Sequence, residues 1–228
     1  VPEGYMLHNQ AWIDGFESPT QIEEHVESLI GPEAATEFWA LYRDNYVAQV
    51  DIDQIAEWGF NHIRIPFHYK QFYNESGSGT PIGYEIIDEL ITWCEPYNMY
   101  IILDMHCAPG GQNGGPISDS DGTARLWLEE ENKELTIQIW REIAEYYSDN
   151  TLIGGYDLIN EPVLPAGVSL DEFKQLYIDI TDAIREVDNN HIVYIEGNWY
   201  GTDFSGLTPP WDDNMSYSFH KYWGEYSL

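Results

Sequence analysis

The chain has 228 residues, 43% of them hydrophobic and 15% aromatic, which suits one folded domain with a sizeable core. Nine basic against 40 acidic side chains give a formal charge of −31, which excludes nucleic acid and anionic membrane surfaces as partners, since both would be repelled. A neutral ligand fits, in a saline or extracellular setting where salt screens the self-repulsion, and no apolar run reaches membrane-span length.

In chain order, the apolar run over residues 5–13 is the remnant of a first strand or the loop after one. A helix is predicted over residues 34–58, with Phe38, Leu41, Tyr42, Val50, Ile52 and Ile55 on its apolar positions and Gly59 as a C-terminal cap. A buried strand follows over 62–67. A helix over 84–97 presents Ile86, Ile87, Leu90, Ile91 and Cys94 on one face, and a strand rich in Ile and Leu occupies 100–105. The helix over 132–147 uses Leu135, Ile139, Ile143 and Tyr146. Residues 156–159 form a strand. Ser169 and Glu172 then make a capping-box pattern that opens a helix over 169–187 through Phe173, Leu176, Tyr177, Ile180 and Ile184. Strands over 191–195 and 215–220 complete the series. Cys94 and Cys107 show no framework or metal-knuckle spacing and are expected as free, buried thiols, although one disulfide between them is not excluded.

Strands alternating with helices imply βαβ units and a parallel sheet buried on both faces. The doubly wound dinucleotide fold needs a Gly-rich turn after its first strand, and no G-x-G-x-x-G occurs. The (β/α)8 TIM barrel is the better choice, and its working residues sit at the C-terminal ends of the strands. Each strand here ends in or contains a polar group that a core rejects: Arg64, His106, Asn160 with Glu161, Glu196, and His220 followed by Tyr222. A buried Glu held between an amide and a proline is costly unless it is paired. Trp127, Trp199 and Trp223 lie in loops, where aromatic faces suit the C–H faces of sugar rings. Trp199 and Trp223 are assigned to the cleft, whereas Trp58, Trp93 and Trp140, on helix faces, are assigned to packing.

The segments GFNHIRIPFHY (59–69), ILDMHCAPGGQN (102–113), YDLINEPV (156–163) and YSFHKYW (217–223) together resemble glycoside hydrolase family 5, from about residue 34 onward. That family belongs to a clan of retaining (β/α)8-barrel glycosidases. The pattern over residues 31–69 leans toward its β-glucanase side. The resemblance implies that Glu161 is the general acid/base, that Asn160 hydrogen-bonds the sugar 2-hydroxyl, and that Arg64 keeps the nucleophile ionised. It implies that His106 walls the −1 subsite and that His220 and Tyr222 orient the two catalytic carboxyls.

A retaining enzyme needs a second carboxylate about 5 Å from the first, which the resemblance places on the seventh strand. No Thr-Glu or Ser-Glu strand end follows His220, and Glu225 comes too soon. Glu196 ends the fifth strand and is expected to bind sugar or pair with a neighbour. The chain is therefore expected to be one catalytic domain over 1–228 that ends after the sixth strand, with a C-terminal segment of the same barrel as its missing partner.

The expected substrate is a neutral β-glucan, with β-mannan as the alternative, and a catalytically inactive carbohydrate-binding barrel is the non-enzyme rival. No cofactor is expected. A metal-dependent hydrolase using His106 and His220 is disfavoured, because no His/Asp/Glu cluster has zinc-ligand spacing. The first residues carry no signal peptide, which says nothing of secretion, and the expected localisation is extracellular or cell envelope.

Overall fold

A computed structural model describes residues 18–74 and 80–221. Residues 5–13, Tyr222, Trp223 and Glu225 lie outside the described residues. The elements are α1 (Pro19–Ile30), α2 (Pro32–Tyr46), α3 (Gln49–Glu57), β1 (His62–His68), α4 (Ile82–Cys94), β2 (Tyr100–Cys107), α5 (Glu130–Tyr147), β3 (Ile153–Asp157), α6 (Leu170–Arg185), β4 (Ile192–Glu196) and β5 (Met215–Ser218).

Among the described residues the five strands form one parallel sheet in sequential order, β1-β2-β3-β4-β5. Parallel neighbours need a crossover, and helices supply it from β1 to β2, β2 to β3 and β3 to β4. This is the arc of a (β/α)8 barrel. Its five strands are the five expected from the apolar runs over 62–220, with shifted ends. The strand expected over 156–159 starts earlier, at Ile153, and the last one stops at Ser218.

Register sorts the side chains into two faces. Ile65, Leu103, Tyr156, Val193 and Met215 form one rung across the sheet, and Pro66, Asp104, Asp157, Tyr194 and Ser216 form the next. Successive residues of a strand point to opposite faces. The apolar rung packs under the helices, with Trp140, Ile143, Tyr147, Phe173 and Tyr177. The polar rung faces the interior, where Arg64 meets Asp104 and Asp157.

Several helix expectations are corrected. The helix expected over 34–58 is two helices, α2 and α3. Val47 and Ala48 are extended between them, and the Asp51 carboxylate accepts from the Ala48 N–H at 2.9 Å, which restarts the helix. Phe38, Leu41 and Val50 are exposed, and Trp58 is 68% exposed rather than packed. In α4, Ile86 is exposed while Ile87, Leu90 and Cys94 are buried. In α5 the buried ring is Tyr147, one residue after the expected Tyr146. α1 had no counterpart in the sequence reading, although Ser18 and Gln21 cap it reciprocally. α6 has the predicted capping box, and its five predicted apolar residues are all buried. Cys94 and Cys107 are free and buried.

Candidate active site

Past β3 the backbone continues between its neighbours. The Leu158 N–H donates to the Tyr194 carbonyl and the Asn160 N–H to the Met105 carbonyl, at 3.2 Å each. Leu158 and Ile159 are thereby buried, and Glu161 emerges at the C-terminal end of the sheet. Glu161 then turns sharply, with φ +46°, ahead of Pro162. A non-glycine residue in this region carries strain of about 1–3 kcal/mol and persists only when its surroundings hold it.

Those surroundings are specific. The Glu161 N–H donates to Glu196 Oε2 at 2.7 Å, and its carbonyl accepts from Asn113 Nδ2 at 2.9 Å. Its Oε1 lies 2.6 Å from His220 Nδ1. The side chain is nearly buried, with 9% of its surface exposed.

His220 leaves the end of β5 and has both ring nitrogens on carboxylates, Nδ1 on Glu161 and Nε2 on Glu196 Oε1 at 3.1 Å. Both nitrogens are donors only in the imidazolium. The hydrogen bonds to Glu161 and then Glu196 hold its pKa up to about 10. The His220 N–H also donates to the Gly201 carbonyl at 3.3 Å. Gly201 has φ +76°, and a Cβ there would lie 3.2 Å from the His220 nitrogen and 3.3 Å from Glu196 Oε2. Only glycine suits both the backbone angle and the close approach.

Glu196 is completely buried. Its carboxylate takes Arg64 Nη2 at 2.9 Å, His220 Nε2 and the Glu161 N–H, while Tyr177 of α6 donates to its carbonyl at 3.0 Å. Arg64 is clasped by Asp157 through Nε at 2.7 Å, by Asp104 through Nη1 at 2.9 Å, and by Asn160 Oδ1 and Glu196 through Nη2. Burial acts to lower the Arg64 pKa, and the charges of Asp104, Asp157 and Glu196 more than offset it. His106 is half-buried. Its Nδ1 lies 2.8 Å from Asp104 Oδ2 and its Nε2 3.5 Å from Asn160 Nδ2.

Arg64, His106, Asn160, Glu161, Glu196 and His220 thus converge at one end of the sheet. Asn160 and Glu196 have no exposed surface: Asn160 Oδ1 accepts from Arg64, and Glu196 pairs with Arg64 and His220, the neighbour pairing that was one of the two roles expected of it. Trp199 is 59% exposed in the turn after β4, where the next N–H, of Tyr200, donates to the Pro162 carbonyl at 3.2 Å. Trp127 is buried, its Nε1 donating to the Gln112 carbonyl at 2.8 Å and its ring against Phe173. It packs the core and offers no sugar platform.

The sequence reading missed Asp104, Asp157, Gln112 and Asn113. An Asp inside an otherwise apolar strand run was the available signal for the first two. Gln112 pins the loop after β2, donating to the His106 carbonyl at 2.7 Å and accepting from the Ala108 N–H at 3.1 Å. Among the described residues no group of three or more His, Cys, Asp or Glu side chains is placed to hold a metal ion.

The model of the family described as Cellulase (glycosyl hydrolase family 5) matches residues 18–227. The chain belongs to glycosyl hydrolase family 5. It is 32% identical over 208 residues to a β-xylosidase of Phanerodontia chrysosporium, covering 89% of this chain and 43% of that protein. It is 32% identical over 183 residues to endoglucanase C of Acetivibrio thermocellus, covering 78% of this chain and 51% of that protein. The rutinosidase of Aspergillus niger has the same fold, with a TM-score of 0.78 at 20% identity over 97% of this chain and 66% of that one. The chain spans about half the length of the two curated relatives.

Proposed function

We propose that the protein hydrolyses β-glycosidic bonds of a neutral β-glucan with retention, using Glu161 as general acid/base. The nucleophile is a carboxylate on a barrel strand that follows β5 in barrel order. The observation that carries this reading is Glu161 itself, a carboxyl at the C-terminal end of a barrel strand. Its backbone is pinned at N–H and C=O and its Oε1 is aimed by His220. The 2.6 Å contact fixes Oε1 on His220 and so sets the direction in which the carboxyl meets a leaving-group oxygen.

Glu196 does not fit the nucleophile. A nucleophile must touch the anomeric carbon, and this carboxylate is buried under three donors. Arg64 fits a partner of the nucleophile. A guanidinium has five N–H groups. Three of them hydrogen-bond Asp157, Asn160 and Glu196 among the described residues, and Nη1 forms an ion pair with Asp104 at 2.9 Å. The side chain keeps 30% of its surface exposed. A charge of −31 favours a neutral polysaccharide over a polyanion and suits a secreted enzyme in a saline setting. Trp199 is the sugar-stacking candidate among the described residues.

The test is Glu161→Ala in the full-length enzyme. Turnover of soluble β-glucan or β-mannan is lost. An activated aryl glycoside suffers less in its first step, because its leaving group needs little protonation. Equal, modest losses on both substrate types overturn the role of Glu161, and inverted product anomers by NMR overturn retention.

A further inference from the structure

Three carboxylates converge on the single guanidinium of Arg64: Asp157 from β3, Asp104 from β2 and Glu196 from β4. All three are buried. Three negative charges around one positive charge in a buried site are disfavoured unless donors compensate them. The donors are unequally shared. Glu196 receives Arg64, His220 and the Glu161 N–H. Asp104 receives Arg64 and His106 Nδ1, which must carry its hydrogen to face a carboxylate. Among the described residues Asp157 receives only Arg64 Nε.

Asp104 and Asp157 are also register partners on adjacent parallel strands. Each has one buried oxygen, Oδ1, with no hydrogen-bond partner among the described residues. Two ionised carboxylates cannot satisfy one another, because neither has a hydrogen to give. A single proton turns one of them into a donor and the other into its acceptor. It settles on the carboxyl with the fewest donors.

We propose that Asp157 carries a proton at neutral pH and works as a neutral positioning acid, bonding Asp104 with its own hydrogen while its other oxygen fixes Arg64. The cradle then holds the guanidinium without a third negative charge beside it, which leaves more of its charge for the nucleophile. Burial points the same way, pushing the Asp157 carboxyl well up, with the charges of Glu196 and Asp104 adding to it and Arg64 opposing. Tyr194 of β4 and Tyr177 of α6 are also near enough to interact with an ionised Asp157, and its charge would raise both. The protonation stands on the cradle's geometry, and the positioning role rests on the glycosidase reading.

The experiment uses the full-length protein labelled with carboxyl-13C aspartate, with infrared spectroscopy at neutral pH. A neutral carboxylic acid C=O stretch is expected in the wild type, shifted by the label and absent from Asp157→Asn. A wild type without that band, or a variant that keeps it, overturns the protonation. Urea unfolding gives an independent reading. A proton bound only when folded makes the folding constant of the wild type fall by about tenfold per pH unit relative to Asp157→Asn, above the unfolded carboxyl range. A ratio that does not change with pH overturns the proposal. For the positioning role, Asp157→Ala lowers kcat by on the order of a hundredfold and Asp157→Asn rescues part of the loss. An Asn variant no better than the Ala variant overturns that role. A wild type inactive on every β-glucan refutes the glycosidase reading, while the infrared band still decides the protonation.

Discussion

His220 joins two carboxylates that the chain brings from different strands, so its charge is structural as well as chemical. Its pKa is about 10 when folded and ~6.5 when unfolded. A group raised on folding stabilises in its charged form. The His220 contribution is complete below about pH 6.5, declines as the unfolded chain loses its proton, and is gone above about pH 10. The stability difference between wild type and His220→Gln is therefore expected to shrink steadily from about pH 6.5 to pH 10, read by urea unfolding. A difference that stays constant over that range rules out an imidazolium bridge. Glu196→Ala strips the shared partner from Arg64, His220 and the Glu161 N–H. Removing one member of a buried pair costs about 3–5 kcal/mol, and calorimetry of the variant measures it.

At the scale of elements, the crossover helices are fixed by their ends and one face. Ser169 caps α6 through the Glu172 N–H, and the Glu172 carboxylate returns the bond to the Ser169 N–H at 2.8 Å. Ser169→Ala is expected to cost about 1 kcal/mol, seen as a lower urea midpoint with an unchanged slope. A second tie lies at the other end of the sheet, where Asp188 pairs with His191 and accepts from the Tyr156 hydroxyl at 2.8 Å. Burial works to raise the Asp188 pKa, and the bonds from His191, Asn190 and Tyr156 override it and hold it near 2. His191 is raised by the same pair against the effect of burial. A depressed acid contributes above its unfolded pKa, about 3.9, and loses that contribution as pH falls through about 2. The raised histidine contributes fully below about 6.5 and less as pH rises. Asp188→Asn should therefore lower Tm most between these limits, at mildly acidic pH. A uniform drop from pH 4 to about 8 would contradict the pairing.

For the whole molecule, charge and sheet edges dominate. A charge of −31 on 228 residues repels itself. Going from about 0.01 M to 1 M NaCl shortens the screening length from about 30 Å to 3 Å, so Tm should rise with salt, and a Tm that falls over that range contradicts the expectation. Among the described residues, β1 and β5 each have one unpaired edge, and exposed rings stand near them, Phe60 before β1 and Phe219 after β5. Unpaired strand edges are templates for association. The proposed arrangement, with its nucleophile on a strand after β5, predicts that the 228-residue chain by itself does not hydrolyse soluble β-glucan. Full activity of the chain by itself would place the nucleophile within it.

The sequence by itself determined the five parallel strands, because buried parallel strands are continuous apolar runs that need no partner to be legible. It also determined that His106, Glu161, Glu196 and His220 lie at strand ends and Arg64 within a strand, since a polar residue in or closing an apolar run has little other place to go. α6 was legible for the same local reason, with its cap and apolar face both encoded within it. Only the tertiary structure decided what those residues do to one another. Arg64 meets Asp157, 93 residues away, and Glu196, 132 residues away, because register and barrel curvature bring them together. The same register made Asp104 and Asp157 neighbours and buried Asn160 and Glu196 beneath the residues they hold. It put Trp127 in the core and left Trp58 outside it. Burial depends on which elements arrive on a face, and periodicity along one segment carries no record of that.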